Sequence, residues 1–245
     1  MTNNRSRRFG VSESLMAIAL LAAQPAVAAS TLTFTGFEYG SASVGINTDP
    51  IASAAVSSDQ AGAYLTKIDS GPTFESFCID VWQYLSFNHT PAYVIGTDYT
   101  YKSPAQMVNY VPHAGSPLMT STVLGNLSRL YDEATTLGYH TATGSAALQL
   151  GVWEIAFEGT NAYDLTTGNF KSAPSSTVTT QTTTWLNGLA GYSATKYLVN
   201  GYVSATNQDV IFFTPVPEPG TYAMMLAGLG LMGFVARRRS RRANG

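Results

Sequence analysis

The arginines of this chain sit almost entirely at its two ends, each cluster beside a short apolar stretch, and that distribution sets how much of the chain is left to fold. Arg5, Arg7 and Arg8 precede one stretch, and Arg237, Arg238, Arg239, Arg241 and Arg242 follow the other, which uses eight of the 13 basic residues. Residues 1–29 have the order of a secretory signal peptide: a positive start, an apolar run over 15–23, then Ala26-Val27-Ala28 as the small-residue site for signal peptidase. The apolar run is well short of a bilayer span, which argues against a retained anchor. Cleavage after Ala28 or Ala29 leaves a mature chain that starts near Ser30.

At the other end, residues 221–236 form an apolar stretch that is slightly short for a span, with flanking arginines able to reach the headgroups. The positive-inside rule keeps Arg237, Arg238 and Arg239 cytoplasmic and puts the body of the protein outside. Just before this stretch stands Val216-Pro217-Glu218-Pro219-Gly220. Its prolines deny the backbone both helix and ladder hydrogen bonds, leaving an extended peptide that a membrane-bound protease can grip. The order of Pro217-Glu218-Pro219, one apolar helix and a terminal arginine cluster over 237–242 resembles the PEP-CTERM sorting signal. The resemblance implies a Gram-negative bacterium that makes exopolysaccharide, and an exosortase that cuts near the motif. It also implies a transient inner-membrane anchor, followed by the cell surface or a biofilm matrix. Like a GPI signal, such a tail can leave a mature product with no transmembrane helix.

The middle, residues 30–214, keeps only Lys67, Lys102, Arg129, Lys171 and Lys196 against 13 acidic residues, a formal charge of −8. Such a surface repels phosphate backbones, so nucleic acid is not an expected partner. Cys78 is the single cysteine in a chain bound for an oxidising compartment, so no intramolecular disulfide can form and the thiol needs its own explanation. Alternation predicts a strand over 30–37 and another over 77–85, with Cys78, Asp80, Trp82 and Tyr84 on one face. Gly-, Ser- and Ala-rich sequence up to residue 63 predicts loops and irregular strands. Helical period predicts a helix over 121–137 stopped by Gly138, a second over 145–157 capped by Ser145, and a short third over 185–189. Residues 197–203 read as a hairpin turning at Asn200-Gly201, 209–213 as the last strand, and Pro215 as the start of the stalk over 215–245. The whole reads as one β-rich α+β extracellular domain with two or three helices.

Phe77-Cys78, followed by Leu148-Gln149-Leu150-Gly151-Val152-Trp153 on a helix, resembles the thioester domains of bacterial surface adhesins. In that family a cysteine after an aromatic residue is crosslinked, with loss of ammonia, to the glutamine of a Gln-x-x-x-Trp motif. Cys78, Gln149 and Trp153 match, and Gly151 stands where the family has a small alanine. The chemistry requires a thiolate, hence a group that takes its proton, and Asp80 is the nearest such group in sequence. A thioester must also be kept dry, a role that suits Trp153 one turn beyond Gln149. The resemblance then implies one covalent reaction with an amine on a matrix or surface protein: an adhesin, not an enzyme, needing neither cofactor nor metal.

Two other readings use the same residues. In the first, Cys78 is an inert buried thiol in a structural or binding protein of the matrix, where it meets polysaccharide without forming a bond. In the second, the protein is a secreted cysteine hydrolase with His89, His113 or His140 as base, although none of these has a recognisable catalytic context. Asp49, Asp59, Asp69 and Asp98 fall near turns without the spacing of a calcium loop. Asn88-His89-Thr90 and Asn126-Leu127-Ser128 match a glycosylation pattern that carries little weight in a bacterium.

Overall fold

The structure is a computed structural model that describes residues 29–48, 56–81, 83, 93–112, 116–159, 162–172, 176–217 and 224–232. Six strands close into an antiparallel barrel: β1 (Ser30–Phe37), β4 (Tyr64–Ile68), β5 (Thr73–Cys78), β9 (Val210–Pro215), β8 (Tyr197–Val203) and β6 (Tyr93–Lys102), in that order round the barrel. A second sheet of three strands orders β3 (Val56–Ala61), β2 (Ala42–Thr48) and β7 (Phe170–Ser172). The helices of the domain are α1 (Pro104–Met107), α2 (Ser121–Leu137), α3 (Ala142–Glu158) and α4 (Thr177–Gly188), the last continued by a 3₁₀ turn over Leu189–Gly191. The expected β-rich α+β class is therefore observed, with closure of the barrel as the added feature.

The helix expected over 121–137 is present with those bounds. Thr120 caps Val123 N–H at its start, and Gly138, in the left-handed region at φ 85°, ends it. α3 begins three residues before its expected start. Thr141, not Ser145, is its cap, because the Ser145 hydroxyl instead accepts from Ala63 N–H at 2.7 Å. α3 is buried on every side from Gly144 to Phe157, so its apolar positions form no single stripe. It lies between the barrel and the outer sheet on one side and α2 and α4 on the other.

Three expectations need correction. The strand predicted over 77–85 is β5, four residues earlier, so Cys78 is its last residue instead of a mid-strand one; Trp82, Tyr84 and Leu85 lie outside the described residues. Asn200-Gly201 is not a turn. β8 runs straight through it, pairing Asn200 with Phe212 and Gly201 with Ile211, and the chain reverses between Ser204 and Asp209 instead. The glycine is there for space, since a Cβ on Gly201 would lie 2.7 Å from Met107 Sδ of α1. Finally, the short helix expected over 185–189 is the C-terminal part of the twelve-residue α4, and Pro215 closes β9 before the stalk.

Of the apolar span expected over 221–236, the described part is a helix over 224–232 whose Met224, Met225, Leu226, Leu229, Leu231 and Met232 are exposed. Among the described residues no helix is long and apolar enough to cross a membrane.

Candidate functional site

β4 accompanies β5 only as far as Ser76, opposite Tyr64, while β9 continues along the other edge past Phe77 and Cys78. Ile79 N–H turns to β9 and donates to Asp209 O at 3.1 Å. The Cys78 N–H and C=O, one residue out of phase, face the edge that β4 has left, where buried main-chain groups need partners. α3 crosses that edge and supplies both from one side chain. Cys78 N–H donates to Gln149 Oε1 at 2.9 Å, and Gln149 Nε2 donates to Cys78 O at 2.8 Å. A carboxamide carries the donor and acceptor of a peptide group, so Gln149 replaces the missing strand for one residue. Cys78 and Gln149 are both 0% exposed.

The Cys78 thiol donates to Asp80 O at 3.0 Å, and Asp80 is itself fully buried. The same carbonyl accepts from Gln208 Nε2 at 3.3 Å, and Gln208 O accepts from Tyr99 Oη at 2.6 Å. Beside it, Asp209 accepts from Ser204 N–H at 2.8 Å and from the Tyr110 hydroxyl. Burial raises the Asp209 carboxyl to about 7, with the Asp80 charge adding to the rise and the two hydrogen bonds opposing it. Burial also pushes the Tyr99 phenol upward, with contributions from Asp209 and then Cys78. The thiol thus lies in a dry, carboxylate-bearing cluster that draws on β5, β6 and the 204–209 reversal.

Chemically, the Cys78 N–H points at the oxygen on which negative charge would build if sulfur attacked the Gln149 carboxamide, the geometry that polarises an acyl group. A buried thiol keeps its proton, so attack needs a base, and Asp80 and Asp209 are the carboxylates of this cluster. Trp153 is 1% exposed with its ring 6.1 Å from Phe170 of β7, and among the described residues its indole N–H has no hydrogen-bond partner. Gly151 also has a physical reason. A Cβ there would lie 2.8 Å from Leu130 Cδ2 of α2, so the leucine occupies the room an alanine methyl would take.

Sequence reasoning brought together Cys78, Gln149 and Asp80. It missed Tyr99, Tyr110, Gln208 and Asp209, whose available signal was the polar pair Gln208-Asp209 standing directly before an apolar strand. His140 is exposed, with its ring 4.6 Å from Tyr39 and 4.5 Å from Tyr139; His89 and His113 lie outside the described residues. Asp69 accepts from Thr31 N–H, and Asp98 accepts from Ser204, Thr206 and Asn207, which holds its carboxyl below the usual range. Both thus serve as loop ties. Asp49 and the Asp59 side chain lie outside the described residues, and among those described no group of acids, histidines and cysteine could hold a metal. Val216 and Pro217 are exposed and without regular structure; Glu218, Pro219, Arg237, Arg238, Arg239, Ala26 and Ala28 lie outside the described residues.

The family model for the PEP-CTERM protein-sorting motif matches residues 215–240. The chain carries a PEP-CTERM sorting signal. That motif implies export, processing by an exosortase and a transient membrane stage on the way to the cell surface. A comparison with curated proteins finds no match. Among solved structures, the N-terminal thioester domain of a surface protein from Clostridium perfringens, in a cysteine-to-alanine variant, is similar at 14% identity with a TM-score of 0.40. That alignment covers 62% of this chain and 89% of the other. A second structure of an N-terminal thioester domain of a surface protein from that organism gives 11% identity and a TM-score of 0.36, with 71% and 100% covered. Both likenesses are distant.

Proposed function

We propose that this exported surface protein, from a Gram-negative cell, is a covalent adhesin armed by an internal thioester between Cys78 and Gln149. The observation that carries the reading is the two-point hydrogen bonding of the Gln149 carboxamide to the Cys78 main chain inside a fully buried site. It holds the acyl carbon beside the residue that bears the thiol, with an N–H already on the carbonyl oxygen. The thiol proton passes by way of Asp80 or Asp209. Sulfur bonds to Cδ of Gln149, the Cδ–Nε2 bond breaks, and the nitrogen leaves with that proton as ammonia. A later amine takes the acyl group as an amide and returns the thiol, so each molecule reacts once and is no enzyme.

A second reading rests on the same hydrogen bonds: Gln149 serves only to finish the edge of β5, and Cys78 is an inert core thiol in a protein that binds without covalent chemistry. Methylamine separates the two. The thioester reading expects methylamide on Gln149 and a newly titratable thiol at Cys78, neither of them in a Cys78→Ala variant. Folded protein that takes up no methylamine under these conditions supports the inert reading.

A further inference from the structure

Away from Cys78, a cavity of about 620 Å³ opens between α2, α4 and the 3₁₀ turn. Small residues contribute to its wall: Gly125 of α2 packs close to Ala194, and a Cβ on that glycine would stand 3.4 Å from Ala194 Cβ. The volume lies within the range of small-molecule sites. Its base is apolar, with Leu186 and Leu189 buried to 7% and 6% exposure.

The walls are of a different kind. Asn126 Nδ2 donates to the Tyr163 hydroxyl at 2.7 Å, which fixes the phenol and leaves its own proton to be given elsewhere. Arg129 spends one N–H on Leu189 O at 3.3 Å; among the described residues it makes no ion pair. Asn187 adds a further carboxamide. No described residue lining the cavity is acidic, although the domain as a whole is strongly so. Outside the lining, Glu154 and then Glu158 act on Tyr163 electrostatically, and burial lifts the Glu154 carboxyl to about 8.

We propose that this cavity binds a carboxylate-bearing saccharide, with Arg129 on the carboxylate, Asn126, Tyr163 and Asn187 on hydroxyls, and Leu186 and Leu189 against a C–H face. A planar guanidinium matches a carboxylate with two parallel hydrogen bonds, and a single cation matches a single charge better than a phosphate dianion. Amides and a phenol over an apolar floor suit a ring with hydroxyls at its rim and C–H groups on its face. This site stands independently of the thioester.

The test is calorimetric titration of the full chain in detergent with trigalacturonate, with neutral galactotriose, and with a tripeptide bearing a free carboxyl terminus. The proposal expects trigalacturonate to bind at or below about 1 mM. It also expects galactotriose to bind at least about tenfold more weakly, and an Arg129→Met variant to lose about tenfold for the acid with no loss for the neutral sugar. Cys78→Ala should bind as the parent does. Equal affinity for both sugars, an unchanged Arg129→Met variant, preference for the tripeptide, or no heat at all would each overturn it. Arg129 is half-exposed, so its replacement spares the fold, and an unshifted melting temperature verifies this.

Discussion

At the scale of single residues, Gln149 does work that no neighbour can take over. Gln149→Ala strands the Cys78 N–H and C=O away from water, and an unmet buried polar group costs about 1–3 kcal/mol. Measured against a methylamine-free parent whose Cys78 thiol is uncrosslinked, the expected loss is about 3 kcal/mol in urea unfolding, against about 1 kcal/mol for Cys78→Ala, which leaves the main-chain pairing intact. Equal losses would show that the carboxamide matters little to the fold. Gly151→Ala sets two effects against each other: better helix propensity by about 1 kcal/mol, and overpacking against Leu130 by about 1–3 kcal/mol. Overpacking wins, with a net destabilisation of about 1 kcal/mol expected; a more stable variant would mean that Leu130 moves aside freely. Cys78 and Gln149 were legible through their resemblance to the thioester motif, and Asp80 through its place two residues beyond Cys78. Asp209 was not, because its nearness to Asp80 is created by the pairing of β5 with β9, which local pattern does not encode.

Among the elements, those read correctly are those whose signals are local. α2 carries an apolar stripe, a threonine cap and a glycine stop within its own length, and its bounds followed. Only the C-terminal part of α4 was expected to be helical, because threonine is a weak helix former. What overrides propensity is the reciprocal cap of Ser176 with Thr179 together with burial of Val178, Trp185 and Leu186. The hydroxyls of Thr180, Thr182 and Thr184 add bonds to carbonyls one turn back. β6 went unread because glycine and aspartate are poor strand formers, although Gly96 and Asp98 alternate with the buried Ile95 and Tyr99 as a half-buried strand requires. Asn200-Gly201 misled for the opposite reason. It is a strong turn signal outvoted by Tyr101 donating to Asn200, by Asn200 donating to Thr214, and by Met107 seated over Gly201.

For the molecule as a whole, acids in the core set the pH response. Burial raises Glu75 to about 7, Glu133 to about 7, Glu154 to about 8 and Asp209 to about 7. Each folded value lies above the unfolded one, so between roughly pH 4 and 8 the native state holds more protons, and stability falls as pH rises through that window. Denaturant midpoints are therefore expected to be higher at pH 5 than at pH 8.5, and a Glu154→Gln variant should flatten the slope. A midpoint that rises with pH would contradict the burial of these groups. Replacing Pro217, Glu218 and Pro219 with alanine should leave the precursor in the membrane with the apolar tail attached; normal release would mean that this motif does not direct sorting.

The most direct test of the covalent account is the intact mass of freshly secreted protein under non-reducing, non-nucleophilic conditions. A thioester between Cys78 and Gln149 predicts a mass lower by one ammonia than the processed sequence requires, with the deficit gone in Cys78→Ala and after methylamine. Full mass together with a thiol at Cys78 that titrates on unfolding would contradict it.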